Sequence, residues 1–483
     1  MIDRFKNIFG IDVRALAVFR ICLALILIFD LSVRSFALIA NYTDFGVLPL
    51  DFYFSIFNNT GWVSLHLISG SILFQVALFI IAGLFALALL VGYKTRLATI
   101  VSWFLLISLH SRNPTILQGG DIMLRVLVFW AMFLPLNVKY SIDVKLGNIR
   151  QNKKSILSFG TAGILLQVAF VYFFSALLKT GNEWFPNGTA IYYALQSDQF
   201  ATHFGKFLLN FPDIMFGLTY FTYFLELIGP ILLFIPFFFK QFRSITTFAF
   251  IILLVGMALS LNLGHFPFVG LTGMLLFLPS WVWDKMFNRI KDNFHEHDYY
   301  IDRRIKVKRY FYIFFNCVAL FFIIYIFLWN VQSLGKFNAV PDKMEFIAHK
   351  LRIDQYWNMF SPYPLKDDGW YVIDGTLVNG LHVDLLTNNE VTYEKPYHVA
   401  DLYTHERWRK YLMNLWNRDY DFHRPYYLSY LCNDWNEEHS GDERMENIAM
   451  NFMLEVTGSN YDIHVPEKVV LEEWQKADRE GKS

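Results

Sequence analysis

Charge is scarce in this chain. Asp, Glu, Lys and Arg make up 17% of its 483 residues, where an average soluble domain carries about 25%. The charges also cancel, Lys+Arg 42 against Asp+Glu 42, so no basic field exists to hold a nucleic acid. Cysteine is nearly absent. Cys22 and Cys317 sit inside apolar runs and Cys432 in a polar stretch, which excludes a disulfide framework. A glycine-rich phosphate loop, a nucleophile elbow and a Cys or His cluster at ligand spacing are all missing, so no metal is expected. His295 and His297 read as solvated residues of a link.

What the chain has in excess is apolar surface: 55% hydrophobic and 18% aromatic residues. The excess lies before residue 330, in long runs with few charges, while the remainder has an ordinary soluble composition. This pattern predicts a polytopic α-helical membrane protein, with a transmembrane domain over 1–333 and a small α+β domain over 334–483. A bilayer core takes roughly 17–25 apolar residues per helix. About nine stretches qualify, at 13–37, 71–92, 96–110, 122–137, 157–178, 214–239, 245–263, 266–283 and 309–330. The first contains Arg14, Arg20, Asp30 and Arg34, so part of it is interior or interfacial. Its long apolar run lacks a small-residue cleavage site, which argues against a signal peptide.

Basic residues set the orientation. Lys94 and Arg96, the cluster from Lys139 to Lys154, Lys240 with Arg243, and the run from Lys285 to Arg309 fall on alternate links. The segment from Ile39 to Gly70 has no Lys or Arg. By the positive-inside rule the N-terminus is inside and the tail outside. In the tail, β-rich runs at Trp370–Leu377 and Leu381–Leu385 flank Asn379-Gly380, a hairpin signal because both turn residues tolerate positive φ. Helices are expected near 399–417 and 441–457.

Polar groups at membrane depth are the candidates for chemistry, since each charge there costs about 2.5–3.5 kcal/mol on insertion scales. Lys179 ends the fifth stretch. It reads either as a snorkelling lysine paired with Glu183 at i+4 or as a desolvated amine able to accept a proton. Glu226 sits mid-helix, paired with a buried arginine such as Arg20 or Arg125 or lining a polar cavity. His265 lies at an outer break between helices. His110, Arg112, Asp121 and Arg125 form a further outward cluster, in which Asp121 is either part of a site or an N-cap.

Several blocks carry a resemblance. Arg96-Leu97-Ala98-Thr99, Leu109-His110-Ser111-Arg112-Asn113-Pro114, Gly119-Gly120-Asp121 and Phe133-Leu134-Pro135-Leu136 are similar to the HTTM domain. That domain is related to vitamin K-dependent gamma-glutamyl carboxylase. Tyr172 to Lys179, with Trp184 following, resembles the segment with the carboxylase's catalytic lysine, and Asn262–Phe268 and Trp357–Trp370 resemble bacterial members. The resemblance implies that Lys179 deprotonates reduced vitamin K. Reaction with O2 then yields a base that removes a γ-proton from a peptide glutamate. CO2 adds, leaving γ-carboxyglutamate and vitamin K epoxide, without a metal. His110, Arg112, Asp121 and His265 become candidate supports, and Phe173, Phe174, Trp184 and Glu226 a candidate quinone pocket. The partners implied are a glutamate-containing peptide and the bilayer, in a bacterial inner membrane with the tail periplasmic.

The tail departs from the animal enzymes, being far shorter than their lumenal part, and Leu178 stands where their motif has a second lysine. Competing readings are a quinone-pocket enzyme with another reaction, or a non-enzymatic scaffold for maturing a secreted peptide. A transporter is disfavoured because two matching halves with interrupted helices are missing.

Overall fold

The computed structural model describes residues 2–147, 154–289, 309–458 and 464–475. His295, His297 and several basic residues used to set the orientation, among them Arg150, Lys153 and Lys291, lie outside this set. Nine helices occupy the apolar stretches: α1 Val13–Ser35, α2 Ile72–Val91, α3 Thr95–Arg112, α4 Gly119–Ala131, α5 Phe159–Leu178, α6 Pro212–Leu232, α7 Phe239–Ser260, α8 Phe266–Met274 and α9 Arg309–Gln332. Their ends follow local chemistry. Asp12 caps α1 by accepting the Arg14 N–H at 2.9 Å, and Gly92, at φ 71°, closes α2 in the left-handed conformation that a glycine adopts without strain.

Six of these helices are long and apolar enough to cross a bilayer, or seven if the bent unit Phe266–Phe277 with Ser280–Phe287 is one span. The sequence reading expected about nine. Helix α4 has 13 residues, about 20 Å at 1.5 Å per residue, short of a hydrocarbon core of about 30 Å. Helix α3 is long enough, but Thr99, Ser102, Ser108, His110, Ser111 and Arg112 are buried within it. Helix α4 is interior, and α3 is buried along its second half, Leu105 to Arg112, while Leu97 and Ile100 near its start are exposed. Close approach is built in: a Cβ on Gly163 of α5 would meet the Trp130 ring of α4 at 2.2 Å.

Between α9 and the sheet, α10 (Asp342–Leu351) packs against α9. Tyr325 of α9 donates to the Met344 carbonyl at 2.9 Å, and Trp357 is buried in the same apolar core as α1, α4 and α5. The tail then forms a four-stranded antiparallel sheet from β1 (Asp367–Leu377), β2 (His382–Asp384), β3 (Met445–Val456) and β4 (Glu467–Gln475), in the order β2-β1-β3-β4. The expected hairpin is present, with Gly380 at φ 83°. Helix α11 (Glu406–Trp416) answers the first expected tail helix, and α12 is Arg424–Glu438. The helix expected near 441–457 is instead β3. It is an inner strand, hydrogen-bonded on both edges to β1 and β4, and Met450 to Met453 are buried in succession, so both faces are covered there and its apolar residues need not alternate.

The tail does not stand apart. Its core residues Trp370, Ile373, Leu412, Leu428 and Met450 belong to one cluster with Tyr42, Val47, Phe52, Tyr53, Leu109 and Ile116 of the helical domain.

Candidate functional site

Two buried ionic clusters lie on the side of the helix bundle that the tail packs against. The first is small. Lys179 follows the last residue of α5, where its backbone leaves the helix, and its side chain is 3% exposed. Its Nζ bonds the Glu226 carboxylate of α6 and donates to Ser175 Oγ at 2.9 Å. The Trp184 ring covers the amine, with its centre 4.8 Å from Nζ, and is pinned by its Nε1–H on the Phe360 carbonyl at 2.9 Å. Tyr172, about two turns back on α5, is buried with an unpartnered hydroxyl.

This geometry corrects two expected pairings. Glu183 bonds Lys366 at 2.7 Å, not Lys179. Neither Arg20 nor Arg125 reaches Glu226: Arg20 donates to the Leu136 and Tyr140 carbonyls and Arg125 pairs with Asp354 at 2.8 Å. The candidate pocket also divides. Trp184 and Glu226 meet at Lys179, whereas Phe174 stacks edge-on against Phe327 of α9 at 6.1 Å and Phe173 packs on Phe174.

The second cluster is larger and combines four segments. Asp30 and Arg34, one turn apart on α1, pair at 2.8 Å. Arg34 also reaches Asp121 of α4 at 2.6 Å and the Tyr42 hydroxyl at 2.7 Å. From the tail, Arg407 of α11 enters between the two acids and bonds Asp30 at 2.6 Å and Asp121 at 2.5 and 2.9 Å. All four side chains are at most 1% exposed. With two cations on two anions, the cluster is neutral overall, which is what lets it be buried. Asp121 is not the N-cap of α4. It is the third residue of the helix and accepts the Gln118 N–H at 2.7 Å.

Of the candidate supports, His110 and His265 converge here, each with Nε2 3.6 Å from Asp121 Oδ1. Arg112 does not. It points to the Thr43 carbonyl at 3.4 Å, and its Nε and Nη1 have no partner. Asp30, Asp121 and His265 offer ligand atoms within 4.8 Å of one another, but two guanidinium groups already occupy those carboxylates, and a metal cation there would meet both positive charges.

Residue 265 also links the cluster to a cavity of about 290 Å³ between the α7–α8 break and the tail, lined by Asn262, Gly264, Tyr403, His405, Glu406 and Arg409 among others. Glu406 Oε1 is 3.8 Å from His265 Nδ1 and 3.7 Å from Arg407 Nε. Burial alone would raise the Glu406 carboxyl, yet these neighbours hold it below its ordinary range. Gly264, at φ 60°, lies under it, and a Cβ there would stand 1.8 Å from Glu406 Oε2. A second cavity, apolar and of about 20 Å³, lies between α1, α2 and α3 and has room for a water-sized probe. Neither cavity is lined by Lys179.

Sequence reasoning missed Arg407, Glu406 and the part played by Asp30 and Arg34. The i, i+4 acid–base pair inside an apolar helix was a visible signal for the last two. Arg407 had none, because it lies on a soluble-looking helix.

The HTTM domain family model matches residues 10–281, more than half of the chain. Neither the curated proteins nor the solved structures contain a match.

Proposed function

The chain belongs to the HTTM domain family, and from that footing we propose that it is a vitamin K-dependent carboxylase-like membrane enzyme. The HTTM domain occurs in that carboxylase family. One observation carries the reading: the lysine that corresponds to the family's catalytic base is buried against a carboxylate from a neighbouring helix. A buried Lys–Glu pair needs a reason, since desolvating two charges costs several kcal/mol before their attraction returns any. A proton-accepting role supplies one. Shifting a proton from Lys179 to Glu226 leaves a neutral amine, held by Ser175 and open to receive the next proton.

The chemistry of this pair fits reduced vitamin K, which when bound supplies an acidic hydroxyl and, with O2, the driving force for removing a γ-proton. The space fits less well, because no described cavity reaches Lys179. Trp184 and the Phe360 segment that pins it are the groups that would move aside. Glu226 takes and returns the proton, Ser175 orients the amine, and Trp184 excludes water. CO2 and a peptide glutamate complete the proposed reaction, with the peptide arriving from the outer side. The finer topology belongs to the same proposal: α3, and α4 together with the loops that flank it, make up about nine crossings, the N-terminus is inside, and the tail faces the periplasm of a bacterial inner membrane.

The test is incorporation of labelled CO2 by purified protein given reduced vitamin K and a glutamate peptide. The expected result is label with the native protein and none with Lys179→Ala, while vitamin K epoxide follows the same pattern. A folded preparation yielding neither label nor epoxide with several peptides overturns the reading.

A further inference from the structure

At the end of α9 the chain reverses through Gly335, at φ 71°, and α10 returns along the last two turns of the helix it has left. Gln332, the final residue of α9, accepts the Val340 N–H at 2.8 Å and donates to Glu345 at 2.6 Å. Two turns earlier, the Tyr325 hydroxyl donates to the Met344 carbonyl at 2.9 Å and accepts the Ala348 N–H at 3.1 Å. Between them the Trp329 ring stands edge-on to His349, with centres 5.5 Å apart. Side chains on a helix lean toward its N-terminus, so α10 lies level with the last turns of α9 and not beyond them. The apolar span Ile313–Gln332 has 20 residues, the length that fills a hydrocarbon core of about 30 Å. Across a bilayer, α10 then lies where hydrocarbon gives way to headgroups, the depth at which Tyr and Trp collect in membrane helices.

The two faces of α10 differ in composition. Ala348 is buried, and Met344, Ile347 and Leu351 pack on the core. Lys343, Phe346 and Lys350, at i, i+3 and i+7, share the exposed face. Phe346 is 56% exposed, and Phe337 in the preceding turn, next to exposed Lys336, is 65% exposed. Among the described residues no carboxylate pairs with any of these three lysines. Of the two acids on α10, Glu345 is engaged by Gln332, and Asp342 opens the first turn, where it answers the positive end of the helix. Exposed rings set between unpaired ammonium groups suit a charged bilayer surface: the rings enter the acyl region, and the lysine stems reach back to the phosphates. We propose that α10 and its leading turn anchor anionic phospholipid headgroups, with Lys336, Lys343 and Lys350 on the phosphodiester oxygens and Phe337 and Phe346 inserted beside them. The inference goes beyond the proposed reaction, since it requires α9 to cross the bilayer and nothing of Lys179.

The experiment is native mass spectrometry of full-length protein released from mixed micelles that hold equal amounts of phosphatidylglycerol and phosphatidylcholine. Both lipids carry the phosphodiester, and only the first has a net charge. The native protein should retain phosphatidylglycerol over phosphatidylcholine, with a preference that falls as salt is raised. Lys343→Gln should reduce the preference about fivefold, the worth of one basic residue at an anionic surface. Combining it with Lys336→Gln and Lys350→Gln should abolish the preference. All three positions are exposed and glutamine is a good helix former, so thermal unfolding in detergent should not change. Lys240→Gln, between α6 and α7, is the control and should keep the native preference. Equal retention of both lipids by the native protein, a triple variant that keeps the preference, or an equal loss with Lys240→Gln overturns the proposal. If the lipid preference is present but no carboxylation occurs, the proposed function fails and this anchor stands.

Discussion

Lys179 and Glu226 neutralise each other across two neighbouring helices, whereas Asp30, Arg34, Asp121 and Arg407 come from three helices, with Arg407 377 residues from Asp30. In the larger cluster both oxygens of both acids are engaged. A proton has nowhere to go in such an arrangement without breaking several bonds at once. In the pair, one contact holds the charges, a hydroxyl steadies the amine, and a ring closes the remaining side. Few ties leave a proton free to move, and many ties fix geometry. On the proposed function, the same ingredient, a buried salt bridge, serves chemistry in the pair and architecture in the cluster.

The largest effects should come from cutting the architecture. Arg407→Met leaves two buried acids to one arginine and should cost about 3–5 kcal/mol, the usual penalty for an orphaned buried charge. Thermal unfolding in detergent measures it, and a loss under about 1 kcal/mol would mean that the tail does not close the cluster. Lys179→Met and Glu226→Leu should each cost about 3–5 kcal/mol for the same reason. The double variant should return to within about 1 kcal/mol of the native protein, because two apolar side chains pack where two charges were. All three should be inactive. No double substitution should rescue the larger cluster; if one did, the contrast between the two would disappear.

A third test uses pH on the tail. Burial pushes the Asp368 carboxyl up to about 6, so the folded protein holds its proton more tightly than the unfolded chain, and this group's contribution falls as pH rises from about 4 to 6. Burial pushes the His423 ring down to about 4, so its contribution is lost as pH falls from about 6.5 to 4. The slopes oppose each other. Asp368→Asn should steepen acid destabilisation and His423→Phe should flatten it, each by about 2–3 kcal/mol over that window. Asp368 accepts the Gln199 side-chain N–H at 2.9 Å, beside the carbonyl that holds Arg409, so this titration belongs to the cavity side and not to the Lys179 pair. The smallest effect should be Gly264→Ala, about 1–2 kcal/mol for a left-handed alanine, with a changed pH profile if Glu406 is displaced from His265.

Long apolar runs made the helices legible because a bilayer demands one composition over one length. The hairpin at Asn379-Gly380 was legible because few residue pairs tolerate that turn. Strand β3 was not, since Met445–Val456 is covered on both faces and lost its alternation. Lys179, Asp121 and His265 could be singled out as polar groups in apolar surroundings. Their partners could not, because partnership depends on which helices are neighbours: Glu226 chooses Lys179 through α5 packing on α6, and Arg407 reaches Asp30 only once the sheet has folded.

That last dependence reaches into biogenesis. Asp30, Arg34 and Asp121 are translated and inserted long before residue 407 exists. Until the tail has folded, two acids share one arginine inside the helix bundle, and the early chain is a half-solved electrostatic problem. A ribosome that stops short of residue 407 would therefore release a protein whose long apolar helices are all present and whose interior charges are still unsettled.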